Sequence, residues 1–336
     1  MIVSRIVWMF TVFFLVALMC STAGCSSGVQ QPKTVLKVVP AGSLLQPFDE
    51  VEKAFEAQHP DVDVQVEGHG SIQAIRQVTD LHRPIDVVAV ADASLIPDLM
   101  FRTDPATGGN FTDAYTPFAT NAMVIAFTNN SKYADEVMQE NWYQVLSRPD
   151  VRVGISNPML DAAGYRSIMV ALLADRYYKN ATLFPVLIGS HFSPPLSAPV
   201  TMGIATVTLP EVLRPSDEKL VIRDGSIFVL SHLEAGGIDY AFEYRNVAEG
   251  HNLRWISLAQ EIDLSSPEYA DEYGKVRVIL GFQRFSAIGQ ERIGQPIVYA
   301  VTIPNTAPNR QLAQEFADVV IEKAKIGGKG WPAPLN

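Results

Sequence analysis

Residues 35–75 read VLKVVPAGSLLQPFDEVEKAFEAQHPDVDVQVEGHGSIQAI, and this stretch decides the fold class. A short apolar run at 35–39 precedes a segment at 44–58 whose apolar residues recur at helical spacing. The alternating run at 62–66 predicts a second strand, and a helix-like segment at 72–81 follows it. This repeated order of strand, loop and helix predicts an α/β fold with a parallel sheet covered by helices.

The same alternation continues along the chain. Further strands are predicted at 85–90, 122–127, 151–155, 238–242, 253–256, 276–280 and 297–303. Further helices are predicted at 93–100, 133–146, 164–178 and 310–324. We expect two α/β lobes around a hinged cleft, with 34–117 plus about 275–336 in lobe 1 and about 118–274 in lobe 2. Residues 185–214, rich in Pro, Ser and Thr, are expected to form a surface excursion of lobe 2.

The N-terminus has the pattern of a secretion signal. Arg5 precedes an apolar run at 6–19, and small residues lead to Cys25. The alternative is an uncleaved anchor helix, although the run is shorter than the roughly 20 residues that a span needs. Residues 22–25, Thr-Ala-Gly-Cys, resemble a lipobox, with Cys25 as the lipidated residue and 26–33 as a polar tether. The sequence therefore predicts an extracytoplasmic protein anchored to the cell membrane through Cys25.

Composition narrows the function classes. The formal net charge is -10, which argues against nucleic acid as a partner because phosphate contacts need clustered Lys and Arg. A small anion remains compatible, since a few converging backbone N–H groups and hydroxyls can hold one. The two cysteines, Cys20 and Cys25, both lie at the N-terminus. The body therefore has neither a disulfide framework nor a Cys-based metal site.

Two strand ends carry the same local chemistry. Gly42-Ser43 and Gly70-Ser71 each place a glycine and a hydroxyl where a strand turns into a helix. Glycine allows close backbone approach, and a helix N-terminus offers unpaired N–H donors with a partial positive charge. Two such ends at one sheet edge predict an anion cradle. The alternative is that both serines are ordinary helix caps.

Two further segments contribute candidate residues. Asp161 follows a strand and opens a helix, where it is either an anion contact or simply the N-cap. Tyr244 ends a strand and can donate its hydroxyl to an anion, whereas its neighbours Glu243 and Arg245 can instead pair with other residues. Ligand sites in α/β sheets lie beyond such strand ends.

Catalytic patterns are weak, and we predict no catalytic residue and no cofactor. The sequence lacks Gly-x-Ser-x-Gly, His-Glu-x-x-His and Walker motifs, and its six histidines are scattered. A secreted hydrolase using Ser43 or Ser71 as nucleophile is the alternative from another class, but no histidine is placed by sequence to act as its base.

Several short runs, in order and spacing, resemble the archaeal-type molybdate/tungstate-binding proteins, the substrate-binding components of ABC importers. The matching runs lie at 41–44, 70–72, 91–92, 118–121, 131–136, 161–167, 239–244 and 299–304. The resemblance implies a type II periplasmic-binding fold. It implies that Gly42, Ser43, Ser71, Asp161 and Tyr244 contact the oxyanion, with Ala162, Ser226, Glu243 and Thr120 as further candidates.

The resemblance also implies an unusual ligand chemistry. In the family an aspartate and a glutamate approach the metal of the oxyanion, which sulfate and phosphate cannot accommodate. The aspartate matches Asp161, but Ser226 stands where the glutamate is expected. Either this protein binds its anion with fewer carboxylates, or Asp224 or Glu243 takes that place.

The expected function is capture of molybdate or tungstate by a monomer that delivers it to an ABC permease and ATPase complex. One alternative keeps the fold and changes the ligand to sulfate or thiosulfate, with phosphate least favoured. Another is an oxyanion sensor that reports to a signalling partner.

Overall fold

The computed structural model describes residues 32–281 and 291–335 of the 336-residue chain. Within them the strands are β1 (Thr34–Pro40), β2 (Val62–Val66), β3 (Val87–Val90), β4 (Thr116–Thr120), β5 (Met123–Phe127), β6 (Val153–Ser156), β7 (Val200–Thr201), β8 (Ile204–Thr208), β9 (Leu220–Arg223), β10 (Tyr240–Tyr244), β11 (Arg254–Ser257), β12 (Val276–Ile279), β13 (Glu291–Ile293), β14 (Val298–Thr302) and β15 (Ala333–Pro334).

The α-helices in the described residues are α1 (Leu45–Gln58), α2 (Ser71–Thr79), α3 (Leu95–Met100), α4 (Trp142–Leu146), α5 (Ala162–Tyr177), α6 (Leu183–Leu187), α7 (Ser226–Glu234), α8 (Arg245–Gly250), α9 (Ala270–Tyr273) and α10 (Arg310–Ile326). Short 3₁₀ turns lie at Gly42–Leu44, Gly189–His191 and Pro267–Tyr269.

The first sheet has the strand order β15-β4-β14-β3-β1-β2. Its central strand β3 is buried on both faces, as expected for a strand covered by helices on either side. β1 runs parallel to β3, but β14 is antiparallel to both β3 and β4. The predicted parallel arrangement therefore holds for β1 and β3, but the sheet as a whole is mixed, because the chain returns from its C-terminal part to insert β14 in the opposite direction.

The second sheet has the order β11-β5-β10-β6-β9. β10 lies at its centre, parallel to β6 and antiparallel to β5, and all five of its residues are buried. The C-terminal end of β10 and the loop after the parallel strand β6 lie at one edge of this sheet. That edge carries Tyr244 and Asp161.

A third, four-stranded sheet of order β13-β12-β8-β7 was not anticipated. The strand at 276–280 was predicted to return to the first lobe, but β12 pairs with β8 instead, in parallel register from Val276 with Ala205 to Ile279 with Thr208. Residues 185–214 supply β7 and β8 of this sheet. The return to the first sheet is made by β14, as predicted for 297–303.

The predicted helix at 133–146 is wrong over most of its length, since only Trp142–Leu146 is helical. Tyr133 has a positive φ of 61°, which an α-helix does not accommodate. Asn141 then closes a turn, because its side chain accepts from Met138 N–H at 2.7 Å and donates to the Glu136 carbonyl at 2.9 Å. Such local side-chain bonds compete with helix formation.

The predicted signal peptide, Cys25 and all but the end of the tether lie outside the described residues. Among the residues that the structure does describe, we find no helix long and apolar enough to cross a membrane. The division into two hinged lobes stays a prediction.

Candidate anion-binding site

Asp161 is the centre of the candidate site. It caps α5, and its Oδ1 accepts from Ala163 N–H at 3.3 Å. Its Oδ2 accepts from Ser226 N–H at 2.9 Å, at the start of α7. The N–H of Ser71, at the start of α2, also stabilises this carboxylate. Three helix N-termini from both sheets therefore meet at one buried side chain, where their partial positive charges add.

Burial outweighs hydrogen bonding in setting the pKa of Asp161, which is raised above its usual range. Burial raises the pKa of Asp161, and the N–H donors of Ser226, Ala163 and Ser71 oppose that rise because they stabilise the ionised form. The surroundings of Asp161 are thus buried, and these backbone donors are directed at its carboxylate. Burial strengthens the electrostatic interactions among these groups.

Three hydroxyls near Asp161 share one hydrogen-bonding pattern. Ser71 Oγ accepts from Ala91 N–H at 3.0 Å, and Tyr244 Oη accepts from Arg166 Nη1 at 2.7 Å. Because each oxygen already accepts a bond, its own hydrogen is free to point at another acceptor. Burial raises the pKa of Tyr244 well above its usual range, so its hydroxyl stays protonated.

Ser43 fits the same pattern. Its Oγ lies 2.9 Å from Tyr299 Oη, which in turn accepts from Asn121 Nδ2 at 3.0 Å. When Tyr299 donates to Ser43, the Ser43 hydrogen becomes available to a ligand. The ring of Tyr299 also packs against that of Tyr244, with centroids 6.0 Å apart. These contacts bring Ser43 and Tyr244, from different sheets, into one cluster.

Two glycines lie where the turns of the first sheet approach the second sheet closely. A Cβ on Gly42 would lie 3.0 Å from Ile227 Cγ2 and 3.4 Å from Ser226 Oγ. A Cβ on Gly70 would lie only 2.4 Å from the Leu160 carbonyl oxygen, a backbone atom that cannot move aside easily. The two strand-to-helix turns of the first sheet therefore touch the helix N-termini of the second sheet directly.

The backbone donors are used differently from the predicted cradle. Gly42 N–H donates to the His69 carbonyl at 2.7 Å, and the N–H groups of Ile72 and Gln73 both donate to the Leu160 carbonyl at 3.1 Å. These N–H groups are therefore engaged within the protein. The donors left to a ligand in this arrangement are mainly the side-chain hydroxyls.

The remaining candidates separate into two groups. Ala162 is the buried first residue of α5, and the N–H of Ser226 donates to Asp161. Glu243 is fully buried, and its burial together with the nearby charge of Asp161 raises its pKa to about 8. Thr120 lies apart from this cluster, because its hydroxyl donates to the Ile297 carbonyl at 2.8 Å. It lines a separate cavity of about 510 Å³. Asp224 is exposed and accepts from Asn157 Nδ2 at 3.0 Å.

Sequence reasoning missed Arg166. It is 2% exposed and donates to Tyr244 Oη and to the Ala91 carbonyl, both at 2.7 Å. Its Nη2 lies 3.5 Å from Asp92 Oδ2, which also accepts from Tyr165 Oη at 2.6 Å. Burial works against the charge on Asp92, but Arg166 and Tyr165 hold the pKa of that carboxyl below its usual range. An arginine within the apolar first turns of α5 was the available signal.

A cavity of about 630 Å³ opens beside Gly42 and Ser43 at the margin of the cluster. Gly42 and Ser43 line it at the cluster, and the rest of its lining comes largely from α1, α7 and α8. Asp49, Glu52 and Glu234 contribute negative charge to its wall.

Hydroxyls from the turns of the first sheet and from the end of β10 gather at this cluster beside Asp161, an arrangement suited to a solute-binding protein. The chain matches the family model of bacterial extracellular solute-binding proteins over residues 36–325, and it belongs to that family. The family is extracytoplasmic.

Relatives agree with this assignment. A solute-binding protein of Methanoculleus marisnigri is 41% identical over 286 residues, which cover 85% of this chain and 77% of that protein. The molybdate/tungstate-binding protein WtpA of Thermococcus kodakarensis is 40% identical over 308 residues, covering 88% and 82%.

Solved structures agree on the fold. The periplasmic molybdate-binding protein of Azotobacter vinelandii superposes with a TM-score of 0.52 at 15% identity, over 88% of this chain and 94% of that one. The chain therefore has the type II periplasmic-binding fold that the sequence resemblance implied.

Proposed function

We propose that this protein captures molybdate or tungstate outside the cytoplasm and delivers it to an ABC importer. The 40% identity to a molybdate/tungstate-binding protein over most of both chains supports the ligand class. The cluster of Ser43, Ser71, Asp161 and Tyr244 is the proposed ligand site, with Gly42 allowing the close approach that closes it.

The observation that favours this ligand most is the position of Asp161. A carboxylate at the centre of an anion site repels an ordinary tetrahedral dianion such as sulfate, and burial strengthens that repulsion. A high-valent metal centre that expands its coordination turns the same carboxylate into a favourable contact. Molybdate and tungstate have such a centre, so a buried Asp161 disfavours sulfate and thiosulfate as the ligand.

The proposed role is binding without catalysis. Ser43 Oγ bonds Tyr299, whose phenol stays protonated because burial raises its pKa, and Ser71 Oγ accepts a backbone N–H, so neither partner provides a base. A nucleophilic serine needs such a base within hydrogen-bond reach. These partners support a receptor over a secreted serine hydrolase.

The proposal includes a lipid anchor at Cys25, which the lipobox-like residues before it support. Mass spectrometry of the protein from its native membrane tests this directly. A diacylglyceryl-modified Cys25 as first residue is the expected result, and an unmodified N-terminus at another residue would exclude the anchor.

Calorimetric titration of the protein, stripped of ligand by unfolding and refolding, tests the main proposal. Molybdate, tungstate, sulfate and phosphate would each be titrated separately. We expect one-to-one binding of molybdate or tungstate at least about a hundredfold tighter than that of sulfate, which corresponds to about 2.7 kcal/mol. Equal binding of sulfate would contradict the ligand assignment, and tight binding of phosphate alone would indicate that Asp161 accepts the proton of a protonated oxyanion.

A further inference from the structure

Glu243 is a buried acid for which the fold supplies an incomplete set of partners. It is 1% exposed and stands at the end of β10, directly before Tyr244. Its Oε1 accepts from Tyr244 N–H at 2.8 Å. Its Oε2 is buried and has no hydrogen-bond partner among the described residues. A buried polar atom without a partner costs free energy, so Oε2 calls for an explanation, and a ligand that supplies the partner is one.

The surroundings of Glu243 contain more negative than positive charge. From α5, Asp161 interacts with it repulsively, and β14 contributes the neutral phenol of Tyr299. The nearest buried cation on α5, Arg166, is already engaged by Tyr244 and Asp92. From α8, the more exposed Arg245 pairs with Glu249 at 2.7 Å. Strand β5, which pairs with β10, contributes apolar residues, and the first turn of α7 contributes Ser226.

This charge balance decides the form in which Glu243 can meet a bound oxyanion. Two ionised carboxylates and a dianion in one buried enclosure would repel one another strongly. Asp161 is stabilised as a carboxylate by three backbone N–H groups, whereas Glu243 has one. The proton therefore resides on Glu243, and a neutral carboxylic acid has an O–H donor that Oε2 can present.

We propose that Glu243 is a further anion-binding residue that acts as a neutral acid, with its Oε2 hydroxyl donating a hydrogen bond to the bound oxyanion. The inference rests on the proposed function, since it concerns the same enclosure. It gives Glu243 a different role from a second metal-approaching carboxylate. The loss of the glutamate expected at Ser226 is then compensated by a donor, and the site approaches the metal through Asp161 alone.

Two isosteric variants separate the neutral donor from a charged carboxylate. Glu243→Gln keeps the shape, the acceptor for Tyr244 N–H and an N–H donor, but it cannot ionise. Glu243→Met keeps approximately the volume and has no donor. Asp224→Asn is the matched control, because Asp224 is an exposed acid just before the N-terminus of α7. Molybdate and tungstate affinities would be measured at pH 7 by calorimetry, and the melting temperature of each ligand-free protein would be measured beside them.

We expect Glu243→Gln and Asp224→Asn to bind within about threefold of the wild type, and Glu243→Met to bind about tenfold or more weakly, as for the loss of one hydrogen bond to a charged group. A Gln variant that loses as much affinity as the Met variant would show that the ionised carboxylate is needed and would overturn the inference. A Met variant that binds like the wild type would overturn it as well. If the Met variant does not fold, the Gln variant alone still decides between a neutral and an ionised group.

Failure of the proposed function gives a different result. In that case the wild type itself binds neither molybdate nor tungstate, whatever the variants do. Wild-type binding with the wrong variant pattern rejects only the role of Glu243.

Discussion

At the scale of single residues, Asp161 should set which oxyanion is bound. Replacing it with Asn keeps the acceptor for Ala163 N–H but loses the acceptor for Ser226 N–H, because one carboxylate oxygen becomes an NH₂ donor. The substitution removes the negative charge that favours a metal centre and repels sulfate. We expect Asp161→Asn to weaken molybdate binding about tenfold or more and to strengthen sulfate binding, so that the ratio of the two dissociation constants approaches one.

Calorimetric titration of both anions measures this ratio directly. Asp224→Asn, which removes a charge from an exposed neighbour, should leave both dissociation constants unchanged. Parallel weakening of molybdate and sulfate in Asp161→Asn would instead mean that the residue only supports the local structure.

Glu243 should make the folded state less stable as the pH rises. Its pKa is about 8 in the folded protein and near 4.5 when exposed, because burial disfavours its charged form. Below pH 4.5 it is protonated in both states, and its ionisation makes no contribution to stability. Between pH 4.5 and 8 the unfolded chain releases the proton that the folded chain retains, so stability falls by at most about 1.4 kcal/mol per pH unit.

Urea unfolding of the wild type and Glu243→Gln at pH 5, 6, 7 and 8 isolates this contribution, because all other titrating groups are common to both proteins. We expect the stability of the Gln variant relative to the wild type to increase steadily over this range. A constant difference would show that Glu243 does not retain its proton in the folded state.

The sequence predicted candidate site residues where a glycine, hydroxyl or acid stands at the end of a strand or the start of a helix. Glycine-serine pairs at strand ends and an acid at a helix start identified Gly42, Ser43, Ser71 and Asp161, and the structure brings them together. The partners of these residues could not be read from the sequence. Arg166 reaches Tyr244 across two elements, and whether Gly42 N–H is free depends on His69, which lies on another loop.

At the scale of elements, α5 is joined to the first sheet through a buried ion pair. Arg166 lies on α5, which follows β6 of the second sheet. Its Nη2 lies 3.5 Å from Asp92 Oδ2, and its Nη1 donates to the carbonyl of Ala91, just after β3 of the first sheet. Removing one member leaves an uncompensated buried charge, which typically costs 3–5 kcal/mol. We expect Arg166→Met to lower the free energy of unfolding by about 3 kcal/mol.

The double variant Arg166→Met/Asp92→Asn is the matched control, since neither partner is then charged. Its stability in urea should recover part of the loss. A double variant that loses more free energy of unfolding than Arg166→Met and Asp92→Asn lose together would contradict an ion pair as the source of the effect.

Element prediction succeeded where apolar periodicity alone determines the structure, as in α1, β2 and α10. It was wrong at 133–141, where a positive φ at Tyr133 and the Asn141 turn override helical spacing. It also failed to predict that β12 pairs with β8, because the pairing of two apolar strands depends on how the long connections between them fold. Strand pairing is a non-local property, and residues 200–208 are far from 276–279 along the chain.

At the scale of the whole molecule, the contact between the turns of the first sheet and the helix starts of the second sheet should couple closure to binding. In a hinged protein the ligand stabilises the closed form only through its higher affinity for that form. At Gly70 the two sides approach closely, since an added Cβ would lie 2.4 Å from Leu160 O and 2.8 Å from Asp161 Cβ. Neither neighbour can yield without moving the start of α5.

Gly70→Ala should therefore hold the two sides apart without unfolding either. We expect molybdate affinity to fall about tenfold or more, because part of the binding free energy is then used to force closure. The decrease in the radius of gyration on ligand binding, measured by small-angle X-ray scattering, should also be smaller than in the wild type. Gly109→Ala is the matched control, since a Cβ there meets nothing within 4 Å. A Gly70→Ala protein that binds and compacts like the wild type would show that this contact does not limit closure, and that the site closes elsewhere.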